Sequence, residues 1–302
     1  MPEKTANITA LHTEPVIGSR FTLPDLLVKK LVEEALAEDL GRLGDITSQA
    51  VIPETATATV LMRAREDGVV AGLEFAKQAF LALDPALEVT LLAKDGDSIS
   101  QMSELMRVRG NARAILSAER VALNFAGKLS GIATKTAAFV AAAGAHKARI
   151  CSTRKTTPGL RMAEKYAVRM GGGMNHRIGL DDAILIKDNH IAIAGGIHPA
   201  LDAARGAAGH MVKIEIEVDT LAQLEEVLAN GAADIVMLDN MPPKLLKTAV
   251  NMIQGRLLTE ASGGVTLDTV GAIAASGVDL ISVGGLTHSA RCLDIGLDFS
   301  AE

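Results

Sequence analysis

The chain has 302 residues, 48% of them apolar and 22% charged, enough for a sizeable core in one large domain or two smaller ones. With one Tyr, six Phe and no Trp the core must be aliphatic, which excludes base-stacking on aromatic rings as a main binding mode. A net charge of −6 excludes a general binder of nucleic acid or membrane surfaces, since both select a basic face.

Residues 1–24 show no periodicity and read as a mobile arm without a leader pattern. The most apolar stretch, Val121 to Ala145, is broken by Lys128 and Lys135, so no membrane span is expected. Cys151 and Cys292 are too few for a disulfide framework; two reduced core thiols and a cytosolic location are expected. Leu26–Asp39 has helical spacing, and Gly41–Thr47 reads as a loop. Strands are predicted over Thr57–Arg63, Gly68–Gly72, Glu88–Ala93 and Glu104–Gly110, with a helix over Glu74–Leu83. This pattern suits a small α+β domain over residues 25–130, with residues 288–302 a candidate to complete it. Asn111–Ala143 is an Ala-rich helix that bridges into residues 131–287.

There the texture changes. Short apolar runs at Ala148–Ser152, Ala183–Ile186, Val212–Ile216, Asp234–Leu238, Leu257–Glu260 and Asp279–Val283 mostly alternate with helical patterns, the mark of parallel strands covered on both faces. Each run ends in a charged, polar or Gly-rich cluster. In a parallel barrel those ends converge on one face, where active sites are built. A doubly wound open sheet would gather them only near a switch point, so an α/β fold with an incomplete TIM-like parallel barrel is preferred.

The densest cluster runs from Thr153 to Leu180. Lys or Arg occupies positions 154, 155, 161, 165, 169 and 177, against the single acid Glu164. Guanidiniums grip carboxylate and phosphate bidentately, so this concentration suits a small polyanion. Arg161, Lys165 and Arg169 lie at helical spacing and fit a solvated helix face. Arg154, Lys155, His176 and Arg177 flank that helix in loops, where binding is the better reading. Gly171–Gly173 would allow a sharp turn or close approach to a ligand. Lys187 is either an anion-holding cation or a Schiff-base amine, with an ion pair to Asp188 as the structural alternative. Glu217 and Asp239 end successive strands; they could serve as acid and base, hold Mg²⁺ through water, or form salt bridges. Ser262-Gly263-Gly264 and Gly284-Gly285 end the last two strands, where barrels bind phosphate. His12, His146, His198, His210 and His288 read as structural.

Taken together, Glu38–Ser48 (EDLGRLGDITS), Ala118–Thr134 (AERVALNFAGKLSGIAT), Thr153–Val168 (TRKTTPGLRMAEKYAV), Gly171–Ile191, Glu215–Thr220, Met237–Met241 and Glu260–Val265 resemble the quinolinate phosphoribosyltransferase family. The likeness runs from about Leu26 to the C-terminus. It implies a sandwich-like N-terminal domain on an incomplete seven-stranded barrel, and a homodimer in which Arg120 reaches the partner's site. It implies that Arg154, Lys155, His176 and Arg177 hold quinolinate. Lys187 would face substrate anions, while Glu217 and Asp239 would meet ribose and Mg²⁺–pyrophosphate. Ser262, Gly263, Gly264, Gly284 and Gly285 would seat the 5′-phosphate of phosphoribosyl pyrophosphate, with Thr153 and Val283 beside the substrates. Lys155, Lys187, Glu217 and Asp239 would be the catalytic set, with Mg²⁺ and no organic cofactor. Gly127-Lys128 departs from the pattern, which leads one to expect a larger residue and Gln. Competing readings are a paralogue with altered pyridine specificity, such as the molybdenum-transport accessory members, an aldolase centred on Lys187, and a binding module without turnover.

Overall fold

The computed structural model describes residues 22–299; most of the segment read as an arm lies outside them. Helix α1 (Asp25–Leu40) packs Val28, Leu31, Val32 and Leu36 inward. A short helix α2 (Ile46–Val51) follows, its first two residues within the predicted loop Gly41–Thr47. Asp45 nucleates it, accepting from the Ser48 backbone N–H and hydroxyl at 2.9 and 2.5 Å. Next come β1 (Thr57–Ala64), β2 (Gly68–Val69), α3 (Leu73–Leu83), β3 (Glu88–Leu91), β4 (Ser98–Ile99) and β5 (Glu104–Asn111). The predicted strand Gly68–Gly72 survives only as β2. Its remainder turns into α3, where Ser130 Oγ and Asp95 take the backbone N–H groups of Ala71, Gly72 and Leu73.

The 32-residue helix α4 (Ala112–Ala143), capped by Asn111, then runs unbroken beneath both halves of the molecule. Small residues on one side let the C-terminal segment lie against it. A Cβ on Gly131 would fall 1.9 Å from Arg291 O, and one on Gly127 3.0 Å from Leu293 O, so close packing occupies the space of the larger residue expected there. Lys128 Nζ lies 3.5 Å from the buried carboxylate of Glu164.

The second half contains β6 (Arg149–Cys151), α5 (Arg161–Met170), β7 (Ile184–Ile186), α6 (Asp188–Ala194), α7 (Ile197–Ala207), β8 (Ile214–Val218), α8 (Leu221–Asn230), β9 (Ile235–Asp239), α9 (Pro243–Ile253), β10 (Leu258–Ser262), α10 (Leu267–Ala274), β11 (Leu280–Ser282), α11 (Gly285–His288) and β12 (Ile295–Phe299). All six predicted apolar runs form one parallel sheet, ordered β6-β11-β10-β9-β8-β7. The sheet curls into an incomplete barrel with β6 and β7 unpaired to each other. The seventh strand implied by the resemblance is reduced to Met174, which bridges Cys151 in parallel register. The last strand, β12, leaves the barrel and joins the antiparallel sheet β12-β1-β5-β3. Of the two free cysteines only Cys151 is a core thiol; Cys292 is exposed, contrary to expectation.

Candidate active site

The strand ends of the barrel open into a cavity of about 800 Å³. It is lined by Thr153, Arg154, Lys155, His176, Arg177, Lys187, Glu217, Asp239, Ser262, Gly263, Gly264, Val283, Gly284 and Gly285. Every candidate site residue except Arg120 is therefore brought to one place. Arg120 stands exposed on α4 and is not among the residues lining this cavity.

Arg154 and Arg177 enter from loops on either side of α5. Burial, and then the like charge of Arg154, hold the Arg177 guanidinium below its usual range. Arg177 Nη1 donates to Ala183 O at 2.9 Å, but the Nε of each arginine is buried without a hydrogen-bond partner. Both side chains line the same cavity, and two guanidiniums gathered there suit an anion.

These loops are pinned from behind. Lys165, expected on a solvated helix face, is instead 2% exposed. Its ammonium donates to Ser152 Oγ at 3.2 Å, His176 O at 2.8 Å and Arg177 O at 3.0 Å, and burial pulls its pKa down to about 8. Glu164 accepts from the Thr157 N–H and hydroxyl, fixing the loop that carries Arg154 and Lys155. The triple glycine turns at Gly172 (φ +84°) and is pressed against α4: a Cβ on Gly171 would sit 2.3 Å from Ala133 O. These glycines serve helix packing rather than approach to a ligand.

On the opposite rim, Lys187 Nζ meets Glu217 Oε2 at 2.5 Å rather than pairing with Asp188. An ammonium so paired has no lone pair free to attack a carbonyl, which weighs against the aldolase reading. Asp239, one strand over, accepts from Asn240 Nδ2 at 2.5 Å. Gly263 adopts φ +91°, and a Cβ there would fall 2.1 Å from Asn240 Oδ1, so only glycine lets the loop pass. Gly284 lies against the Lys155 stem, and Thr287 of α11 donates to Lys155 O at 2.7 Å.

Four further polar residues line the cavity beyond those expected from the sequence. Glu260 comes from the middle of β10 and Ser282 from the end of β11, Asn240 follows Asp239, and His288, read as structural, stands at the end of α11. Glu215, below the cavity, pairs with His176 at 2.8 Å. Glu215 and Glu260 are charged residues within buried strands, and that was the available signal.

An incomplete α/β barrel with a cationic cavity, two rim carboxylates and two glycine loops is the frame of an enzyme for anionic small molecules. The N-terminal domain of quinolinate phosphoribosyl transferase matches residues 45–130, and its C-terminal domain matches residues 132–298. A probable carboxylating nicotinate-nucleotide pyrophosphorylase of Bacillus subtilis is 47% identical over 273 residues, 90% of this chain and 93% of that protein. The chloroplastic nicotinate-nucleotide pyrophosphorylase of Arabidopsis thaliana is 45% identical over 92% of this chain and 84% of its own length. The solved nicotinate-nucleotide pyrophosphorylase of Francisella tularensis superposes with a TM-score of 0.88 at 41% identity, covering 92% of this chain and 98% of that one. The chain belongs to the quinolinate phosphoribosyltransferase family. Among the described residues no helix is long and apolar enough to cross a membrane.

Proposed function

We propose that the protein transfers the phosphoribosyl group of phosphoribosyl pyrophosphate to quinolinate with loss of CO₂, giving nicotinate mononucleotide and pyrophosphate. The observation that carries this reading is the convergence of the Arg154 and Arg177 side chains on one cavity, a cationic pair that calls for a carboxylate-bearing ligand. With Lys155 they form the acceptor half of the cavity. The donor half is the opposite rim, where Glu217 and Asp239 face a ribose and the backbone of Ser262–Gly264 and Gly284–Gly285 faces a phosphate.

The pyridine nitrogen attacks C1 of the ribose as the C1–oxygen bond breaks, and pyrophosphate leaves with the electron pair. Positive charge grows on the sugar, beside two carboxylates able to stabilise it. The ring nitrogen is then quaternary, so the electrons of the adjacent carbon–carboxylate bond stay on the ring as CO₂ departs, and a proton replaces it. The ring is its own electron sink, and no organic cofactor is required. Mg²⁺ fits the donor set, since Glu217 and Asp239 offer hard oxygens from neighbouring strands; held there through water and pyrophosphate, it would neutralise the leaving group. A homodimer supplying Arg120 to the partner's acceptor half would account for an exposed arginine on α4.

Calorimetry on Arg154→Ala and Arg177→Ala tests the placement. Each folded variant is expected to lose most quinolinate affinity, and unchanged binding in both would remove the dicarboxylate from this half.

A further inference from the structure

Beneath the acceptor half, two carboxylates without a role in the reaction above face one imidazole. Glu215 points inward from β8 and Glu260 from β10, and both are buried. His176 arrives from the loop after α5. Its Nε2 lies 2.8 Å from Glu215 Oε2 and 3.8 Å from Glu260 Oε2. Its Nδ1 accepts the backbone N–H of Arg177 at 2.8 Å. Glu215 Oε1 and Glu260 Oε1 are buried without hydrogen-bond partners.

A ring nitrogen that accepts from an N–H carries no proton of its own, so Nδ1 is bare and the imidazole hydrogen sits on Nε2, directed at Glu215. Both nitrogens of His176 thereby have partners within the protein. Burial opposes an imidazolium, but Glu215 and Glu260 outweigh it and raise the His176 pKa. A second proton, however, would have to enter at Nδ1, against the Arg177 N–H. Surplus negative charge is also relieved at Glu260. Burial, then the charge of Glu215, push its carboxyl up to about 7, a rise moderated by His176, Ser282 on β11 and Lys187 at the end of β7.

We propose, resting on the dicarboxylate reading of the cavity, that Glu215 is a positioning residue. By accepting the Nε2 hydrogen it fixes the tautomer of His176, and His176 holds the Arg177 backbone so that the guanidinium is kept at the cavity for the acceptor's carboxylate. The chain of contacts is Glu215 to His176 Nε2, His176 Nδ1 to Arg177 N, and Arg177 Nη1 to Ala183 O. Glu260 stands as a second acceptor behind the same nitrogen.

The test combines ¹⁵N-histidine NMR of the substrate-free protein with kinetics of Glu215→Ala and Glu215→Gln. In the wild type, His176 is expected as the Nε2–H tautomer. Glu215→Ala should lose that preference and raise the KM for quinolinate about tenfold or more, with kcat changed less than about threefold. Glu215→Gln, whose amide oxygen can take the same hydrogen, should keep both properties near wild type. A wild-type His176 protonated on Nδ1 overturns the inference. So does a folded Glu215→Ala variant with an unchanged KM, or a Glu215→Gln variant as impaired as Glu215→Ala. Should Glu215→Ala fail to fold, the wild-type tautomer and the Gln variant decide. The NMR result needs no substrate, so a protein that fails to turn over quinolinate would sink the substrate assignment while the tautomer is still read.

Discussion

Lys187 and Glu217 close on each other across the ends of β7 and β8, with Nζ 2.5 Å from Oε2, the lysine half exposed and the carboxylate 12% exposed. The pair sits at the rim where sugar charge would develop, so the lysine holds the carboxylate in place and shares its charge. Lys187→Ala is expected to lower kcat/KM by on the order of 100-fold, the scale for removing one electrostatic group from a reaction centre. Steady-state kinetics reads this directly. Borohydride with a carbonyl substrate should trap no adduct at Lys187, and trapping would restore the aldolase reading.

Glu260 gives the fold a pH dependence whose sign is fixed. Its carboxyl rises from 4.5 in the unfolded chain to about 7 in the fold, so between those values the native state binds the extra proton. Stability from this group is complete below about 4.5, falls as pH rises through that window, and stays at its lower level above about 7. The full swing is roughly 3 kcal/mol. Glu260→Gln should flatten that slope in denaturant melts taken across the window. A variant as steep as the wild type would show that Glu260 is ionised in the fold.

Lys165 tests whether the acceptor half is supported from below. Lys165→Met leaves the carbonyls of His176 and Arg177 without their donor. A loss of about 2–4 kcal/mol in unfolding free energy is expected, from two stranded buried acceptors. Quinolinate should bind more weakly in the variant. Full stability together with full affinity would make this lysine dispensable.

The two glycines after β10 should differ sharply. Both have positive φ, but a Cβ on Gly264 meets nothing within 4 Å whereas one on Gly263 strikes Asn240. Gly264→Ala should cost about 1 kcal/mol from backbone strain alone. Gly263→Ala should cost more and should also raise the KM for phosphoribosyl pyrophosphate. Equal effects would mean that the Asn240 contact does not constrain the loop.

Sharing of the site between subunits has its own readout. Arg120→Ala mixed with Lys155→Ala should regain activity, because mixed dimers contain one site with both residues. No recovery, with subunit exchange confirmed, would take Arg120 out of the site.

The barrel was legible because each buried parallel strand is an apolar run with a polar cluster at its end; Ile235–Asp239 and Leu258–Ser262 read this way directly. The elements missed are those with too few residues to show a period: β4, α2 and the one-residue bridge at Met174. Lys165 was misread for a different reason. Its spacing from Arg161 and Arg169 marks one helix face, but spacing cannot tell whether water or the barrel loops cover that face, and here the carbonyls of His176 and Arg177 do. Glu215 and Glu260 were hidden by β alternation: a carboxylate at an inward position of IEIEV or LTEAS is informative only once the inward face is known.

Turnover is the most direct test. The purified protein would be incubated with quinolinate, phosphoribosyl pyrophosphate and Mg²⁺, with nicotinate mononucleotide and CO₂ followed together and nicotinate run in parallel as the acceptor. The expected result is mononucleotide and CO₂ in equal amounts from quinolinate and little product from nicotinate. Mononucleotide from nicotinate but not quinolinate, or product without CO₂, would contradict it.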